Sequence, residues 1–196
     1  MEAIPDFRGM CVTIDVMPHD DFEGALIPEQ SHSGAVKWVV NAQSDRTVCD
    51  ALVTDIANLS LGVHTRDCAP VCFSDGARVA IAHVGWRGFT KDIIEHVYDE
   101  LGMDIEVFVG PFLHAFEVQK DECYDALRVK CGERFFTVSD ERYIFHFKDA
   151  IASFLPQGAV FDPRNTATDA SLPSHRHKRP FGHIITTVSR KRDETQ

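Results

Sequence analysis

The sequence lacks the long apolar runs and the surplus of basic residues that mark two large classes of protein. No stretch approaches the roughly 20 apolar residues that span a bilayer, and the opening segment MEAIPDFRGM has no basic stretch leading into an apolar one. Acidic residues (30) outnumber lysine and arginine (20), which gives a formal net charge of −10. Nucleic-acid binding draws much of its affinity from basic side chains, so we expect a cytoplasmic protein with no membrane or nucleic-acid partner.

The chain also has little of what builds disulfide scaffolds or multidomain arrays. Its six cysteines are scattered, and it contains no repeat, low-complexity tract or Gly/Ser linker. A length of 196 residues with 44% hydrophobic residues is enough for one substantial core. We therefore predict reduced thiols, a single domain over residues 1–189 and a polar tail over residues 190–196.

Short runs rich in β-forming residues alternate with helical patterns along the chain. Strands are predicted at residues 10–16, 35–40, 59–64, 70–74, 78–83, 105–109, 159–161 and 183–188. Helices are predicted at residues 90–101, 120–130 and 148–155. Together they predict a mixed α/β (α+β) fold in which sheet layers are flanked by helices.

A thiol and an imidazole stand at the ends of two of these strand-like runs. Cys68 and His83 are fifteen positions apart, and His32 is the best candidate for a third ligand. Thiolate and neutral imidazole are ligands that zinc prefers, and three protein ligands would leave a fourth position for water or substrate. Cys72 is the competing sulfur ligand, because its even spacing from Cys68 could place both on one side of a regular strand.

Three further features next to these residues are candidates for chemistry. Gly85 and Gly88 bracket Trp86 and Arg87 where a predicted strand passes to a helix, and such a turn can hold phosphate or carboxylate against backbone amides. The competing interpretation is a tight turn with Trp86 in the core and Arg87 stacked on it. Asp67 could orient a ligating imidazole, shuttle a proton, or be a surface aspartate.

The strings GVHTRDCAPVCFSD, VAIAHVGWRG and VGPFLHAFEV together resemble the polyphenol oxidase or multicopper laccase-like family. Members of that family are understood as purine nucleoside phosphorylases with adenosine deaminase activity. The resemblance implies that His32, Cys68 and His83 hold Zn²⁺, that copper is the less suitable metal, and that the substrates are a purine nucleoside and phosphate. It also aligns Asp50-Ala51-Leu52-Val53-Thr54 with a family segment.

The chain departs from the family pattern at several positions. Where the family has Ser-Tyr-Arg-Arg, this chain has Ser174-His175-Arg176-His177, so Arg176 is retained and is predicted to be catalytic together with Asp67. His183 stands where the family usually has arginine, and Arg66 where it has alanine. Only 31 residues precede His32, fewer than in family members, which indicates either a homo-oligomer whose second subunit completes the pocket or a reduced activity.

Two other classes of protein compete with this interpretation. A copper-dependent phenol oxidoreductase would need clustered His-x-His pairs, and His175 with His177 is the only such pair in the sequence. A non-catalytic zinc-binding or regulatory protein would keep the metal but form no product. The predicted chemistry is water activation for adenosine deamination, or phosphorolysis in which arginine and backbone amides position phosphate.

Overall fold

The structure of the protein, a computed structural model, describes residues 4, 6–17, 24–41, 47–139, 142–179 and 182–191. No helix in these ranges has the length and apolar character needed to cross a membrane. The predicted tail begins inside the last strand, because Arg190 pairs with Met10, and residues 192–196 lie outside the described ranges.

A six-stranded mixed sheet forms the centre of the fold. Its order is β11-β7-β5-β6-β3-β2, with these bounds: β2 Val36–Trp38, β3 Ala51–Thr54, β5 Ala69–Ser74, β6 Val79–Val84, β7 Glu106–Val109 and β11 Val160–Phe161. The edge strands β2 and β11 run parallel to their neighbours, while β3, β5, β6 and β7 pair antiparallel. Every residue of β5 and β6 is buried, as expected for strands that are covered on both faces.

A three-stranded antiparallel sheet covers one face of the central sheet. Its order is β1-β12-β4, with β1 at Met10–Met17, β4 at Ser60–Thr65 and β12 at His183–Arg190. Side chains such as Leu61, Val63 and Val188 pack there against Leu52 and Ile81 of the central sheet. This sandwich buries the apolar positions that alternate along each strand.

The helices and a small antiparallel sheet lie on the other face. The helices are α1 Trp86–Phe89, α2 Ile93–Leu101, α3 Glu122–Cys131 and α4 Phe147–Ala152, and the small sheet is β8 Phe116–Val118, β10 Arg142–Phe145 and β9 Phe136–Ser139. The helix predicted over residues 90–101 overlaps α2, and its apolar residues Ile93, Ile94, Val97 and Leu101 are all buried. The helices and the small sheet thus enclose a second hydrophobic core, on the face of the central sheet opposite the β1-β12-β4 sheet.

The mixed α/β fold class is confirmed, and each predicted strand and helix overlaps an observed element. Four strands were missed: β3, β8, β9 and β10, each of three or four residues. So short a run cannot show a period of two residues clearly, and these strands owe their conformation to their partners. Missing β3 matters for the site, because Asp50, the residue directly before this strand, contacts the site.

Candidate functional site

His32, Cys68 and His83 come together at one end of the inner strands β5 and β6 of the central sheet, as the sequence predicts. The ligand atoms of the three side chains lie within 4.8 Å of one another. His83 is buried, Cys68 is half-buried and His32 is exposed, so the group is accessible to solvent on the His32 side. Among the described residues this is the group of histidine, cysteine and carboxylate side chains that could hold a metal ion.

Strand register explains why two of these residues meet. In the β5–β6 pair, Ala69 lies opposite Val84, so the next position outward places Cys68 opposite Gly85. His83 belongs to β6 itself. The chain therefore brings the thiol and the imidazole together through the hairpin between β5 and β6, despite their separation of fifteen positions.

His32 reaches the group from a loop whose backbone conformation is unusual. Its φ is 56°, in the left-handed region that non-glycine residues rarely adopt. The Asp50 carboxylate holds this loop by accepting hydrogen bonds from the backbone amides of Ser31 (3.2 Å), His32 (3.0 Å) and Ser33 (2.6 Å). The hydroxyl of Ser33 also donates to it at 2.8 Å. The strain at His32 is thus balanced by bonds to a single side chain.

The same carboxylate orients the buried imidazole. Asp50 Oδ1 lies 2.8 Å from His83 Nδ1, and Asp50 itself is fully buried. Since Ala51 pairs with Ala82, continuing the register places Asp50 opposite His83, which makes the contact a cross-strand pair. With Nδ1 donating to the carboxylate, Nε2 is left as the ligand atom.

Sequence reasoning missed the role of Asp50. The residue stood in a segment that resembles the family, but no function was assigned to it. For Asp67, beside Cys68, the sequence instead leaves open an orienting role, a proton-shuttling role or a place on the surface. The signal that could have identified Asp50 is an aspartate directly before the buried apolar run Ala51–Thr54, paired with the strand that carries His83.

Burial and hydrogen bonding shift the pKa values of His83, Cys68 and Asp50. Burial alone would lower the pKa of His83, but its hydrogen bonds with Asp50 and Cys68 outweigh this effect and raise the pKa to about 9. Burial alone would raise the pKa of Cys68, but hydrogen bonds with His32 and His83 lower it to about 7. In Asp50 the bonds from His83 and Ser33 overcome burial and hold the pKa well below its usual range. The metal-free site therefore favours a thiolate beside an imidazolium.

Metal affinity is expected to rise with pH. A metal ion must displace the proton of His83, whose pKa is about 9, and below pH 7 that of Cys68 as well. Affinity should therefore increase about tenfold per pH unit from pH 7 to 9, more steeply below pH 7, and level off above 9. Titration with buffered zinc over this range measures it, and a constant affinity between pH 7 and 9 would contradict the assigned protonation states.

Gly85 permits the close approach of the ligands. A Cβ atom there would lie 2.9 Å from Cys68 Sγ and 3.2 Å from the Cδ2 atom of His32. We expect Gly85→Ala to weaken metal binding by about tenfold, because either ligand must move away from its position. Competition with a metal chelator measures the affinity, and thermal unfolding of the metal-free protein is the control. An unchanged affinity would show that the ligands can shift at no cost.

Cys72, the competing sulfur candidate, lies outside the group of His32, Cys68 and His83. It pairs with Ile81 inside the central sheet and is fully buried in the core beneath the β1-β12-β4 sheet. Its neighbours Val71 and Phe73 face the opposite core, as alternation along a strand requires. Burial raises the pKa of the Cys72 thiol far above its usual value, so a thiolate at this position would be unstable.

A large cavity opens beside the three ligands. Its volume is about 880 Å³, within the range of small-molecule sites. All three ligands and the predicted residues Asp67, Gly85, Trp86 and Arg176 line it. The other lining residues are Ala25, Leu26, Ile27, Pro28, Glu29, Gln30, His64, Thr65, Arg66, Leu113, Phe116, Phe147, His175 and His183. The lining of the cavity therefore contains both apolar and polar side chains.

Asp67 connects the Cys68 segment to a distant part of the chain. Its carboxylate accepts hydrogen bonds from the hydroxyls of Thr166 (2.7 Å) and Ser174 (2.8 Å) and from the backbone amide of Arg176 (2.8 Å). The guanidinium of Arg176 lies 4.5 Å over the ring of Phe116. Both predicted catalytic residues therefore belong to one assembly, in which Asp67 fixes the backbone that carries Arg176 to the cavity.

The four residues of the predicted substrate-binding turn, Gly85 to Gly88, lie in different environments in the structure. Gly85 and Trp86 line the cavity, while Arg87 is exposed and its guanidinium stacks 4.4 Å over the Trp86 ring. Gly88 is buried, and a Cβ atom there would lie 3.0 Å from the carbonyl oxygen of Ser33. Gly88 thus allows α1 to pack against the loop that carries His32.

Fold and site together define a class: a mixed α/β protein with one thiol and two imidazoles grouped at a cavity, in an arrangement that could hold a metal ion. The chain belongs to the family described as multi-copper polyphenol oxidoreductase laccase, which matches residues 15–191. The resemblance inferred from the sequence strings is thereby confirmed.

Relatives of known name carry two enzymatic descriptions. A purine nucleoside phosphorylase of Aquifex aeolicus is 27% identical over 177 residues, covering 85% of this chain and 82% of that protein. A protein of Rickettsia conorii with the same name is 29% identical, covering 74% of this chain and 65% of its own length. An adenosine deaminase from an unknown prokaryotic organism is 30% identical over 55% of this chain and 48% of its own length.

Solved structures share the fold. A Neisseria meningitidis protein superposes with a TM-score of 0.77 at 23% identity, covering 86% of this chain and 75% of that chain. YlmD from Geobacillus stearothermophilus superposes with a TM-score of 0.74 at 25% identity, covering 87% of this chain and 74% of that chain. This chain therefore spans about three quarters of each neighbour.

Proposed function

We propose that this protein is a zinc-dependent purine nucleoside enzyme that performs phosphorolysis, adenosine deamination or both. The observation that carries the proposal is the convergence of His32, Cys68 and His83 at a cavity large enough for a nucleoside. The names of relatives from several bacteria supply the substrate class. Nucleoside and phosphate are accordingly the proposed small-molecule partners.

Zinc suits the donor set better than copper in a multinuclear centre. One thiolate and two imidazoles are typical of tetrahedral zinc sites that keep a fourth position open. The hydrogen bond from His83 Nδ1 to Asp50 supplies the orienting contact that zinc-bound histidines usually make. When bound, the ion would supply Lewis-acid activation of an oxygen atom or of an electrophilic carbon.

Other residues at the cavity have separate roles in the proposed reaction. Asp50 keeps His83 in the tautomer that directs Nε2 to the ion. We propose that Arg176, positioned by Asp67, stabilises negative charge on phosphate or on the developing transition state. Trp86, half-buried at the cavity, offers an aromatic face on which a purine base can stack. Gly85 and Gly88 act by permitting close packing around the ligands.

Incubation of the purified protein with adenosine and phosphate tests the proposal. Phosphorolysis yields adenine and ribose 1-phosphate, and deamination yields inosine, which chromatography separates from hypoxanthine. We expect product that disappears in the Cys68→Ala variant. Metal binding without any product above that variant would instead identify a non-catalytic zinc-binding protein.

A further inference from the structure

The loop that carries His32 has hydrogen-bond partners on two sides. On its inner side the Asp50 carboxylate accepts the backbone amides of Ser31, His32 and Ser33. A carboxylate can only accept hydrogen bonds, so Asp50 cannot bind the carbonyl oxygens of the same loop. Any donors to those oxygens must come from another part of the chain or from water.

Two side chains at the start of α2 supply such donors from the outer side of the loop. Lys91 Nζ donates to the carbonyl oxygen of His32 at 3.3 Å, and His96 Nδ1 lies 2.7 Å from the carbonyl oxygen of Gly34. Because a carbonyl oxygen only accepts, His96 Nδ1 carries the proton of this bond. We call Lys91 and His96 the outer donors of the loop.

The loop also packs closely against the segment that carries the outer donors. A Cβ atom at Gly34 would overlap the carbonyl oxygen of Lys91 and would lie 3.2 Å from His96 Nδ1. Only glycine permits so close an approach of one backbone to another. The position of the α2 start therefore determines the position of the loop, and with it that of His32.

The start of α2 is itself fixed by a neighbouring helix. Asp92, directly before α2, has a φ of 62°, in the left-handed region. Lys130 of α3 binds the Asp92 carboxylate at 2.6 Å and also contacts the carboxylate of Glu95, and its side chain is only 10% exposed. The backbone amide of His96 donates to the carbonyl oxygen of Asp92 at 2.8 Å. The outer donors thus project from a turn that contacts with α3 hold in place.

We propose that His96 is a positioning residue for the His32 ligand, and that Lys91 assists it. His32 is exposed, so little packing holds it, and its left-handed backbone is unfavourable for a non-glycine residue. Bonds to its loop from Asp50 on one side and from the outer donors on the other keep the imidazole beside Cys68 and His83. The metal-binding part of this inference rests on the proposed function, whereas the restraint of the loop does not.

The zinc affinities of His96→Leu and His96→Asn, measured by competition with a chelator, test the proposal. Leucine has no donor, whereas Nδ2 of asparagine can take the place of His96 Nδ1. We expect affinity to fall by about three- to tenfold in His96→Leu, as for the loss of one hydrogen bond, and to stay within about twofold of wild type in His96→Asn. Helix propensity favours leucine over asparagine, so a purely structural role of His96 would give the opposite order.

Amide hydrogen exchange of residues 31–34 in the metal-free protein is a second measurement, which needs no metal. We expect faster exchange in His96→Leu than in wild type or His96→Asn, because the loop opens more often without its outer donor. The matched control is His146→Leu, which removes an imidazole that lies 2.7 Å from the hydroxyl of Thr137 and is not among the described residues lining the cavity. This control should change neither the zinc affinity nor the exchange of the loop.

Equal zinc affinities in His96→Leu and His146→Leu would overturn the proposal, and so would an equal loss of affinity in His96→Leu and His96→Asn. A wild-type protein that bound no zinc would instead reject the proposed function. Exchange alone would then decide whether His96 restrains the loop, and equal exchange rates in wild type and His96→Leu would show that it does not.

Discussion

Replacing Cys68 with alanine is expected to abolish both metal binding and turnover. Its sulfur is one of three ligand atoms that lie within 4.8 Å of one another, and two imidazoles alone hold zinc weakly. The pKa of Cys68, about 7, makes the thiolate available at neutral pH, which no other described cysteine with a shifted pKa shares. Elemental analysis should give about one zinc per chain in wild type and none in the variant, and activity should fall by at least about a thousandfold.

The matched control for this result is Cys72→Ala. Each substitution removes one sulfur, and the two positions are four residues apart. Cys72, however, lies in the core between the central sheet and the β1-β12-β4 sheet. Loss of a buried sulfur there should cost about 1 kcal/mol of unfolding free energy and leave metal content unchanged. If Cys72→Ala lost the metal and Cys68→Ala kept it, the assignment of the sulfur ligand would be reversed.

Replacing Asp50 with asparagine is expected to weaken metal binding by about ten- to a hundredfold, although Asp50 is not itself a ligand. The carboxylate orients His83 directly and holds the His32 loop through backbone amides, so one substitution disturbs two ligands. An asparagine side chain offers one acceptor oxygen and turns an NH₂ group toward donors. We therefore also expect the unfolding free energy to fall by about 2–3 kcal/mol.

A second buried carboxylate separates metal loss from general destabilisation. Asp162 accepts hydrogen bonds from the backbone amide, Nε and Nη2 of Arg164 at 2.7–2.9 Å, and it does not line the cavity. Asp162→Asn should lower the unfolding free energy while leaving zinc affinity unchanged. Equal zinc affinities in wild type and Asp50→Asn, measured against a chelator, would show that Asp50 does not support metal binding.

Much of the fold followed from residue pattern. The positions of α2, β5 and β6 were predicted, and their apolar residues are buried, because period and composition report directly which faces avoid water. The small β8-β10-β9 sheet could not be predicted from residue pattern, since strands of three or four residues gain their stability from pairing with distant segments.

The candidate ligands could be identified from the sequence alone, but the assembly around them could not. Asp67 lies next to Cys68 and was predicted to act in catalysis, yet the three donors that it binds come from residues 166–176. Arg66 and His183 are separate departures from the family pattern, and the β4–β12 register places them opposite each other. Adjacency along the chain carried no information about either contact.

The sequence by itself determined the chemistry of the site: one soft thiolate and two imidazoles, in an order that identifies the family. Side-chain type fixes which ions and reactions are accessible, and it does so wherever the residues end up in space. Only the tertiary structure decided that Asp50 contacts His83 and the His32 loop, that Cys72 lies in the core, and that Arg66 and His183 meet at the cavity. These are properties of strand register and of the packing of one sheet on another, which depend on contacts between residues far apart in the chain.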